Sequence, residues 1–256
     1  MIRLGAIADI HARSGREHEL QEMFAYAGAH ADILVIAGDL TDTGHEDDAR
    51  VLGHILDTVS IPVVGVLGNH DFNQNRETGV RRILEEHGMI ILDGTGWTFE
   101  HDGVSLGIGG AVGFGGGFRP FNVVPFGEPG WKDFYDKIIN ESEKLDRGLH
   151  AVRDADYVIG VTHYSPTIET MGHEPEQLYM FLGSSELGDA LEHHRAFLGI
   201  HGHAHRGRYE GHTPKGVPVF NVAMPIIGRP LIWKLSHRER NPKPESMLVG
   251  AGSAAD

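Results

Sequence analysis

The chain has 256 residues, of which 40% are hydrophobic and 23% are charged, and its formal net charge is −14. This length suits one well-buried domain, and the negative charge argues against binding to nucleic acid, because no basic run offsets it. Cysteine is absent, so disulfides and thiolate chemistry are excluded, and any metal site must use nitrogen and oxygen ligands.

No segment of the sequence resembles a targeting peptide or a membrane span. Asp9 interrupts the apolar stretch near the N-terminus, and no small-residue cleavage site follows it. The longest uncharged stretch, 103–118, is too short and too rich in glycine to cross a bilayer. We therefore expect a cytoplasmic protein that does not bind a membrane.

The first part of the chain alternates short apolar runs with segments of helical periodicity. The apolar runs cover residues 2–8, 32–38, 62–68 and 89–92, and apolar residues between them recur at helical spacing. This alternation predicts βαβ units and a parallel sheet. The continuous apolar character of the runs predicts strands that are buried on both faces.

The pattern changes in the second part of the chain. Residues 97–110 predict two strands joined by a turn at 101–103, followed by a glycine-dense loop. The later elements are predicted to be a helix over 131–150, a strand over 156–164, a helix over 184–194, a strand over 196–203, and a closing hairpin of 217–223 and 230–236. Together the elements predict a two-sheet sandwich with helices outside.

We predict a single domain over residues 1–238. The remaining residues, 239–256, have too little periodic apolar content to pack against a core. They are predicted to form a disordered tail.

Polar residues follow several predicted strands, at the point where each strand ends. They lie in the segments ADIH, GDLTD, GNHD, THY and HGHAH. In open α/β sheets, ligands bind beyond the carboxyl ends of the strands, so side chains far apart in sequence can meet there. The candidate site residues are Asp9, His11, Asp39, Asn69, His70, Asp71, His163, His203 and His205.

These residue types suit a pair of metal ions. Carboxylate, amide and neutral imidazole groups bind Mn, Fe, Zn or Co when no thiolate is present. A carboxylate can bridge two cations, and two close cations clamp the attacking and leaving oxygens of an in-line displacement. Phosphate esters need this help most, because their negative charge repels hydroxide. The set therefore indicates a two-metal site for phosphate-ester hydrolysis.

The ordered motifs D-x-H, GDLTD, GNHD, TH and GHAH resemble those of the calcineurin-like metallophosphoesterase superfamily, over Met1–Arg208. Each motif alone is weak, but five in this order are specific. The resemblance implies an α/β fold, a four-layer αββα sandwich of two mixed β-sheets flanked by helices. It also implies two transition-metal ions, most simply Mn, Fe or Zn, and a small phosphate-ester substrate.

The resemblance also implies a role for each candidate. The implied ligands of one ion are Asp9, His11, Asp39 and His205, and those of the second ion are Asp39, Asn69, His163 and His203. Asp39 would bridge the ions, and a hydroxide held between them would attack the phosphorus. His70 is not a ligand in this family and would assist the leaving group, while Asp71 would orient the His70 ring.

Alternatives remain open at this point. A structural role is favoured over coordination for His201, and a loop hydrogen bond is favoured for Asp42. The stretch 107–118 lacks the Lys-Ser/Thr of a P-loop and indicates a lid or a substrate-lining loop, with Arg119 as a candidate phosphate contact. Hydrolysis of a phosphodiester or phosphomonoester is favoured over a non-catalytic member of the same fold and over a nuclease.

Overall fold

The structure is a computed structural model, and it describes residues 1–236. The described strands are β1 (Ile2–Ile7), β2 (Ile33–Ala37), β3 (Val63–Val66), β4 (Ile90–Ile91), β5 (Thr95–His101), β6 (Val104–Gly110), β7 (Tyr157–Val161), β8 (Leu198–His201), β9 (Glu210–His212), β10 (Pro218–Asn221) and β11 (Leu231–Leu235). The described α-helices are α1 (Glu17–His30), α2 (Glu46–Leu56), α3 (Glu77–Glu86), α4 (Pro129–Ala151), α5 (Tyr179–Leu182), α6 (Ser185–His193) and α7 (Met224–Ile227). The tail predicted over 239–256 lies outside the described residues, and the domain limits stay a prediction.

The described strands form two mixed sheets. The first sheet has the order β11-β1-β2-β3-β4, and the second has the order β5-β6-β7-β8-β10-β9. In the first sheet β1 to β4 run parallel, as the alternating pattern predicts, and β11 runs antiparallel to β1. In the second sheet β6, β7, β8 and β10 are parallel, and β5 and β9 are antiparallel neighbours at the two edges.

The core lies between the two sheets and beneath the helices on their outer faces. Val35 of β2 and Ile159 of β7 are fully buried in the same hydrophobic cluster, which joins the facing sides of the sheets. On the opposite side of β2, Ile36 packs in a second cluster with Leu52 of α2. Leu145 of α4 belongs to a third cluster on the outer face of the second sheet. These layers confirm the predicted αββα sandwich.

Helix α4 is the longest described helix, and it is amphipathic. It begins with Pro129 in the first turn, where a missing N–H has no cost, and it buries Ile138, Leu145 and Leu149 along one face. This agrees with the helix predicted over 131–150. Among residues 1–236, no helix has both the length and the apolar content of a membrane span.

The predicted hairpin of 97–110 is confirmed. β5 and β6 pair antiparallel, and His101 lies opposite Val104 at the turn. The two turn residues, Asp102 and Gly103, have φ values of +52° and +72°. Aspartate and glycine tolerate this left-handed conformation, which matches the twist of the two strands.

The predicted closing hairpin is wrong. β10 pairs with β8 and β9 in the second sheet, whereas β11 pairs with β1 in the first. Between them, α7 ends at Gly228, which has a φ of +67° and lets the chain turn toward the other sheet. Alternating apolar residues indicate two half-buried strands, but they do not specify the partner of either strand.

Candidate metal centre

The candidate residues lie where strands of both sheets end. The residues that follow β1, β2, β3, β7 and β8 are, in that order, Asp9 with His11, Asp39, Asn69, His163, and His203 with His205. The first three strands belong to one sheet and the last two to the other. The site therefore lies at the edge where the carboxyl ends of both sheets meet.

The ligand atoms form two compact groups. The first donor group is Asp9, His11 and His205, and the second donor group is Asp39, His163 and His203, with the ligand atoms of each group within 4.8 Å of one another. In the first donor group, His205 Nε2 lies 2.8 Å from Asp9 Oδ1. Three nitrogen and oxygen donors at such separations can surround one cation.

The Asp39 carboxylate lies between the two groups. Its Oδ1 is 3.3 Å from His163 Nε2 in the second donor group. Its Oδ2 is 3.8 Å from His11 Nε2 in the first. The carboxylate thus presents one oxygen to each group.

Electron-pair donors converge in the second donor group when the His163 ring is in its neutral form. Nδ1 of His163 lies 3.0 Å from the carbonyl oxygen of Ala37, which can only accept, so Nδ1 carries the hydrogen of the neutral ring. Nε2 then presents a lone pair, yet its neighbours are Asn69 Oδ1 at 2.8 Å and Asp39 Oδ1 at 3.3 Å. All three are acceptors, and a cation among them fits this arrangement.

His203 also offers a lone pair to the second donor group. Its Nε2 lies 3.2 Å from the carbonyl oxygen of Phe181, which holds the hydrogen on that nitrogen and leaves Nδ1 unprotonated. Burial, together with the nearby His163, lowers the pKa of His203 to about 3. The ring is therefore neutral at physiological pH, which is the form that binds metal.

In the first donor group, Asp9 and His11 have the protonation states that a metal requires, whereas the hydrogen bond to Asp9 raises the pKa of His205. Burial lowers the pKa of His11, against the opposing effect of Asp39 and Asp9. Nδ1 of His11 is buried and has no hydrogen-bond partner within residues 1–236. Burial acts to raise the pKa of Asp9, but the hydrogen bond from His205 and the nearby imidazoles outweigh it, and the pKa is below its usual value. An ionised carboxylate beside neutral imidazole fits a transition metal.

The backbone is strained at four of the candidate ligands. The φ values are +58° at Asp9, +44° at His11, +49° at Asp39 and +68° at His203. A residue other than glycine in this region costs on the order of 1 kcal/mol or more, and such residues concentrate at functional sites. The backbone at Gly68 also packs tightly against the backbone at Asp39, since a Cβ at Gly68 would overlap the Asp39 backbone nitrogen. The fold thus stabilises an unfavourable local conformation that turns these side chains toward one another.

A family model described as calcineurin-like phosphoesterase matches residues 2–207. The chain belongs to the calcineurin-like phosphoesterase family. The resemblance inferred from the five motifs is confirmed. No curated protein matches the chain.

Solved structures share the fold of this calcineurin-like phosphoesterase. The phosphopantetheinyl hydrolase PptH from Mycobacterium tuberculosis is 15% identical with a TM-score of 0.61, and the match covers 86% of this chain and 88% of that chain. The protein TT1561 of Thermus thermophilus is 17% identical with a TM-score of 0.56, over 91% and 93% of the two chains. A hypothetical protein from the same organism is 19% identical with a TM-score of 0.51, over 86% and 75%. At these identities the similarity concerns the fold.

His70 lies beside the two donor groups of this calcineurin-like phosphoesterase. Its backbone N–H donates to Asp39 Oδ1 at 2.9 Å, and its ring lies 4.6 Å from the His11 ring. The ring nitrogen Nδ1 lies 2.7 Å from the carbonyl oxygen of Asp42. That carbonyl, rather than a carboxylate, sets the orientation of the ring.

The expected contact between Asp71 and the His70 ring is therefore wrong. Asp71 is fully buried and accepts hydrogen bonds from the backbone N–H groups of Leu40, Thr41 and Gly68 and from the Thr41 hydroxyl, at 2.6 to 3.2 Å. Burial and the nearby Asp39 raise the pKa of Asp71 to about 6, against the effect of these donors. Asp71 connects the loop after β2 to the loop after β3, which holds Asp39 and Asn69 in place.

Three further residues had alternative interpretations. His201 is fully buried, its Nδ1–H donates to Gly202 O at 2.7 Å, and Thr170 donates to its Nε2 at 2.9 Å, so its contacts are structural. Asp42 acts through its carbonyl, and its carboxylate accepts from Arg13 at 3.1 Å. Arg119 forms a two-point ion pair with Asp189 of α6, so its guanidinium is already engaged and the suggested phosphate contact is not supported.

Two aromatic residues that border the second donor group were not among the predicted site residues. The ring of Tyr164 lies 4.5 Å from the His203 ring, and Phe114 lies 5.8 Å from Tyr164. Phe114 lies in the stretch 107–118, for which the sequence predicts a lid or a substrate-lining loop without distinguishing this residue. Tyr164 follows His163 directly, and that adjacency was the one available signal. Burial, with Asp39 and Glu141 nearby, raises the pKa of Tyr164 to about 12.

Proposed function

We propose that this protein is a metal-dependent phosphoesterase that binds two transition-metal ions, Mn, Fe or Zn, and hydrolyses a small phosphate ester. The observation that supports this most is the position of the Asp39 carboxylate. Oδ2 lies 3.8 Å from His11 Nε2, and Oδ1 lies 3.3 Å from His163 Nε2. A carboxylate with one oxygen toward each group of donors is what a bridged pair of ions requires.

We assign the ligands accordingly. The first ion takes Asp9, His11, Asp39 and His205, and the second takes Asp39, Asn69, His163 and His203. The distances within the two donor groups and the lone pairs that meet at His163 Nε2 support this assignment. When bound, such a pair of ions neutralises phosphate oxygens and lowers the pKa of a shared water.

We assign His70 the role of assisting the leaving group. Because the Asp42 carbonyl accepts from Nδ1 at 2.7 Å, that nitrogen always carries a hydrogen. A hydrogen on Nε2 is then present only in the imidazolium, which can donate a proton to the departing ester oxygen. Asp71 acts indirectly in this scheme, by holding the loops that carry Asp39 and His70. It is a positioning residue for the site.

A phosphodiester is the expected substrate, with a phosphomonoester as the alternative. The net charge of −14 disfavours a nucleic-acid substrate, because phosphate backbones are repelled unless a basic patch offsets the charge. The full set of ligand types disfavours a non-catalytic member of the same fold, in which ligands would be missing. We expect the enzyme to act in the cytoplasm.

A reconstitution screen tests the proposal. Metal is first removed from the protein with a chelator. Separate samples are then loaded with Mn, Fe or Zn and assayed with bis-p-nitrophenyl phosphate, p-nitrophenyl phosphate and cyclic nucleotides. We expect metal-dependent release of product from at least one ester. The Asp39→Asn variant is the inactive control, and Asp47→Asn, at an exposed position of α2, is the matched control that stays active. Metal binding without turnover of any ester would contradict the proposal.

A further inference from the structure

A cavity of about 630 Å³ opens beside the second donor group. Asn69 lines it at one end, and so does Tyr164, whose ring lies 4.5 Å from the His203 ring. A volume of this size is in the range that holds a small organic molecule. The cavity is therefore large enough for much more than a phosphate group, and Asn69, an assigned ligand of the second ion, lines it.

Most of the cavity's surface is apolar, and six apolar side chains contribute to it. They are Leu67, Phe72, Ile91, Leu92, Val112 and Phe114. Phe114 lies 5.8 Å from Tyr164 on one side and 5.3 Å from Phe134 of α4 on the other. Trp131 continues the row at 6.3 Å from Phe134. Of these rings, Tyr164 and Phe114 line the cavity, whereas Phe134 and Trp131 extend the row outside it.

The cations of the cavity are already paired. Lys137 Nζ lies 2.8 Å from Glu141 Oε1, and Lys144 Nζ lies 3.0 Å from the same oxygen and 2.8 Å from Asp93 Oδ1. Arg81 pairs with Glu85 at 2.9 Å. Glu77 adds a further carboxylate to the wall. Each cation among the described lining residues thus has a carboxylate partner, which disfavours a second anionic group on a ligand.

From these contacts we infer that the cavity binds the organic group of the substrate, and that this group is uncharged and apolar or aromatic. The inference rests on the proposed function, because the phosphate must lie at the metal centre for its ester group to enter the cavity. Phe114 is the specificity-determining contact, since its ring lines the cavity and lies 5.8 Å from Tyr164, beside the second donor group. The substrate class is a small phosphate ester of an apolar or aromatic alcohol, distinct from nucleotide polyphosphates, which carry a second anion.

Calorimetric binding of phosphonates to the metal-loaded protein tests the inference without turnover. Methylphosphonate, phenylphosphonate and 4-carboxyphenylphosphonate share one metal-binding group and differ only in the organic group. We expect phenylphosphonate to bind about tenfold more tightly than methylphosphonate, from burial of the ring. We expect 4-carboxyphenylphosphonate to bind no more tightly than phenylphosphonate, because the charged carboxylate meets no free cation.

Two variants assign the effect to the cavity. In Phe114→Ala, the preference for phenylphosphonate falls to about twofold, because the facing ring is lost. In Phe99→Ala, a half-buried phenylalanine of β5 that does not line the cavity, the preference stays at the wild-type value. Loss of the preference in both variants, or in neither, would overturn the role of Phe114.

The outcomes separate this inference from the proposed function. Equal affinity of the wild type for methylphosphonate and phenylphosphonate overturns the inference and leaves the proposed function intact. If 4-carboxyphenylphosphonate binds most tightly of the three, the inference that the organic group is uncharged is wrong. Binding of none of the three phosphonates by metal-loaded protein contradicts both the proposed function and the inference.

Discussion

Oδ1 of Asn69 lies 2.8 Å from Nε2 of His163, although 94 positions separate the two residues in the sequence. Both atoms are acceptors in the neutral state of the ring, so a cation between them explains their approach. We expect Asn69→Ala to lose the ion of the second donor group and to keep the ion of the first. Metal analysis after dialysis measures the loss. Asn73→Ala, an exposed asparagine just after the same turn, should keep both ions.

Asp39→Asn should lose both ions. The substitution keeps the shape of the side chain but replaces one carboxylate oxygen by an NH2 group, which cannot donate an electron pair to a metal. Each ion then has one fewer negatively charged ligand. Metal content and circular dichroism, measured on the same sample, separate loss of metal from loss of fold. Retention of both ions by a folded Asp39→Asn variant would show that Asp39 does not bridge them.

His70→Ala should keep both ions and lose turnover. General-acid catalysis contributes roughly 10²–10⁴-fold, and the loss is greatest for leaving groups of high pKa, which need a proton most. A series of aryl phosphodiesters with different phenol pKa values gives the dependence of kcat on the leaving group. We expect a steeper dependence in the variant than in the wild type. Loss of the metals from His70→Ala would instead place His70 among the ligands.

Asp71→Ala should destabilise the fold by on the order of 3 kcal/mol, because several buried backbone N–H groups lose their acceptor together. Chemical denaturation of metal-free protein measures the change. Asp48→Ala is a matched control, since its carboxylate also accepts from a backbone N–H and a hydroxyl, both of Thr43, but in a half-buried position. The Asp48→Ala substitution should lower the free energy of unfolding by about 1 kcal/mol. An Asp71→Ala variant that matched this smaller cost would contradict the structural role.

Stability should fall as the pH drops from about 6.5 to about 4, in part through His201. Burial lowers the pKa of His201 to about 4, whereas the unfolded ring titrates near the usual value of 6.5. In that window the unfolded chain binds a proton that the folded protein excludes, so the free energy of unfolding decreases with decreasing pH. Denaturation of metal-free wild type and His201→Gln at several pH values measures the slope. The variant should show the shallower slope, and equal slopes would contradict the pKa shift.

Sequence alone predicted the parts of the fold that have a strong local signal. Buried parallel strands are continuous apolar runs, so β2 and β3 are evident from residues 32–38 and 62–68. The candidate ligands were found because polar residues directly follow those runs. Strand ends converge in this class of sheet, so the proximity of Asn69 and His163 could be expected before any coordinates.

Other features depend on contacts that carry no sequence signal. The ring of His70 is oriented by a backbone carbonyl, and every residue has one, so Asp42 could not be distinguished by its side chain. Asp71 follows His70 directly, but adjacent side chains in a turn point in different directions, and its carboxylate instead accepts from the neighbouring loops. The pairing of β11 with β1 likewise depends on the whole fold rather than on local alternation.

That pairing leaves β1 without one of its partner strands while the chain is being synthesised. β1 leads directly into Asp9, and among the strands of residues 1–236 one of its two edges pairs with β11 alone, with Ile2 opposite Leu235. During translation this edge stays open until nearly all of the described chain has been made. A nascent chain stalled before residue 231 therefore leaves the strand that leads into the metal centre free to pair with another molecule.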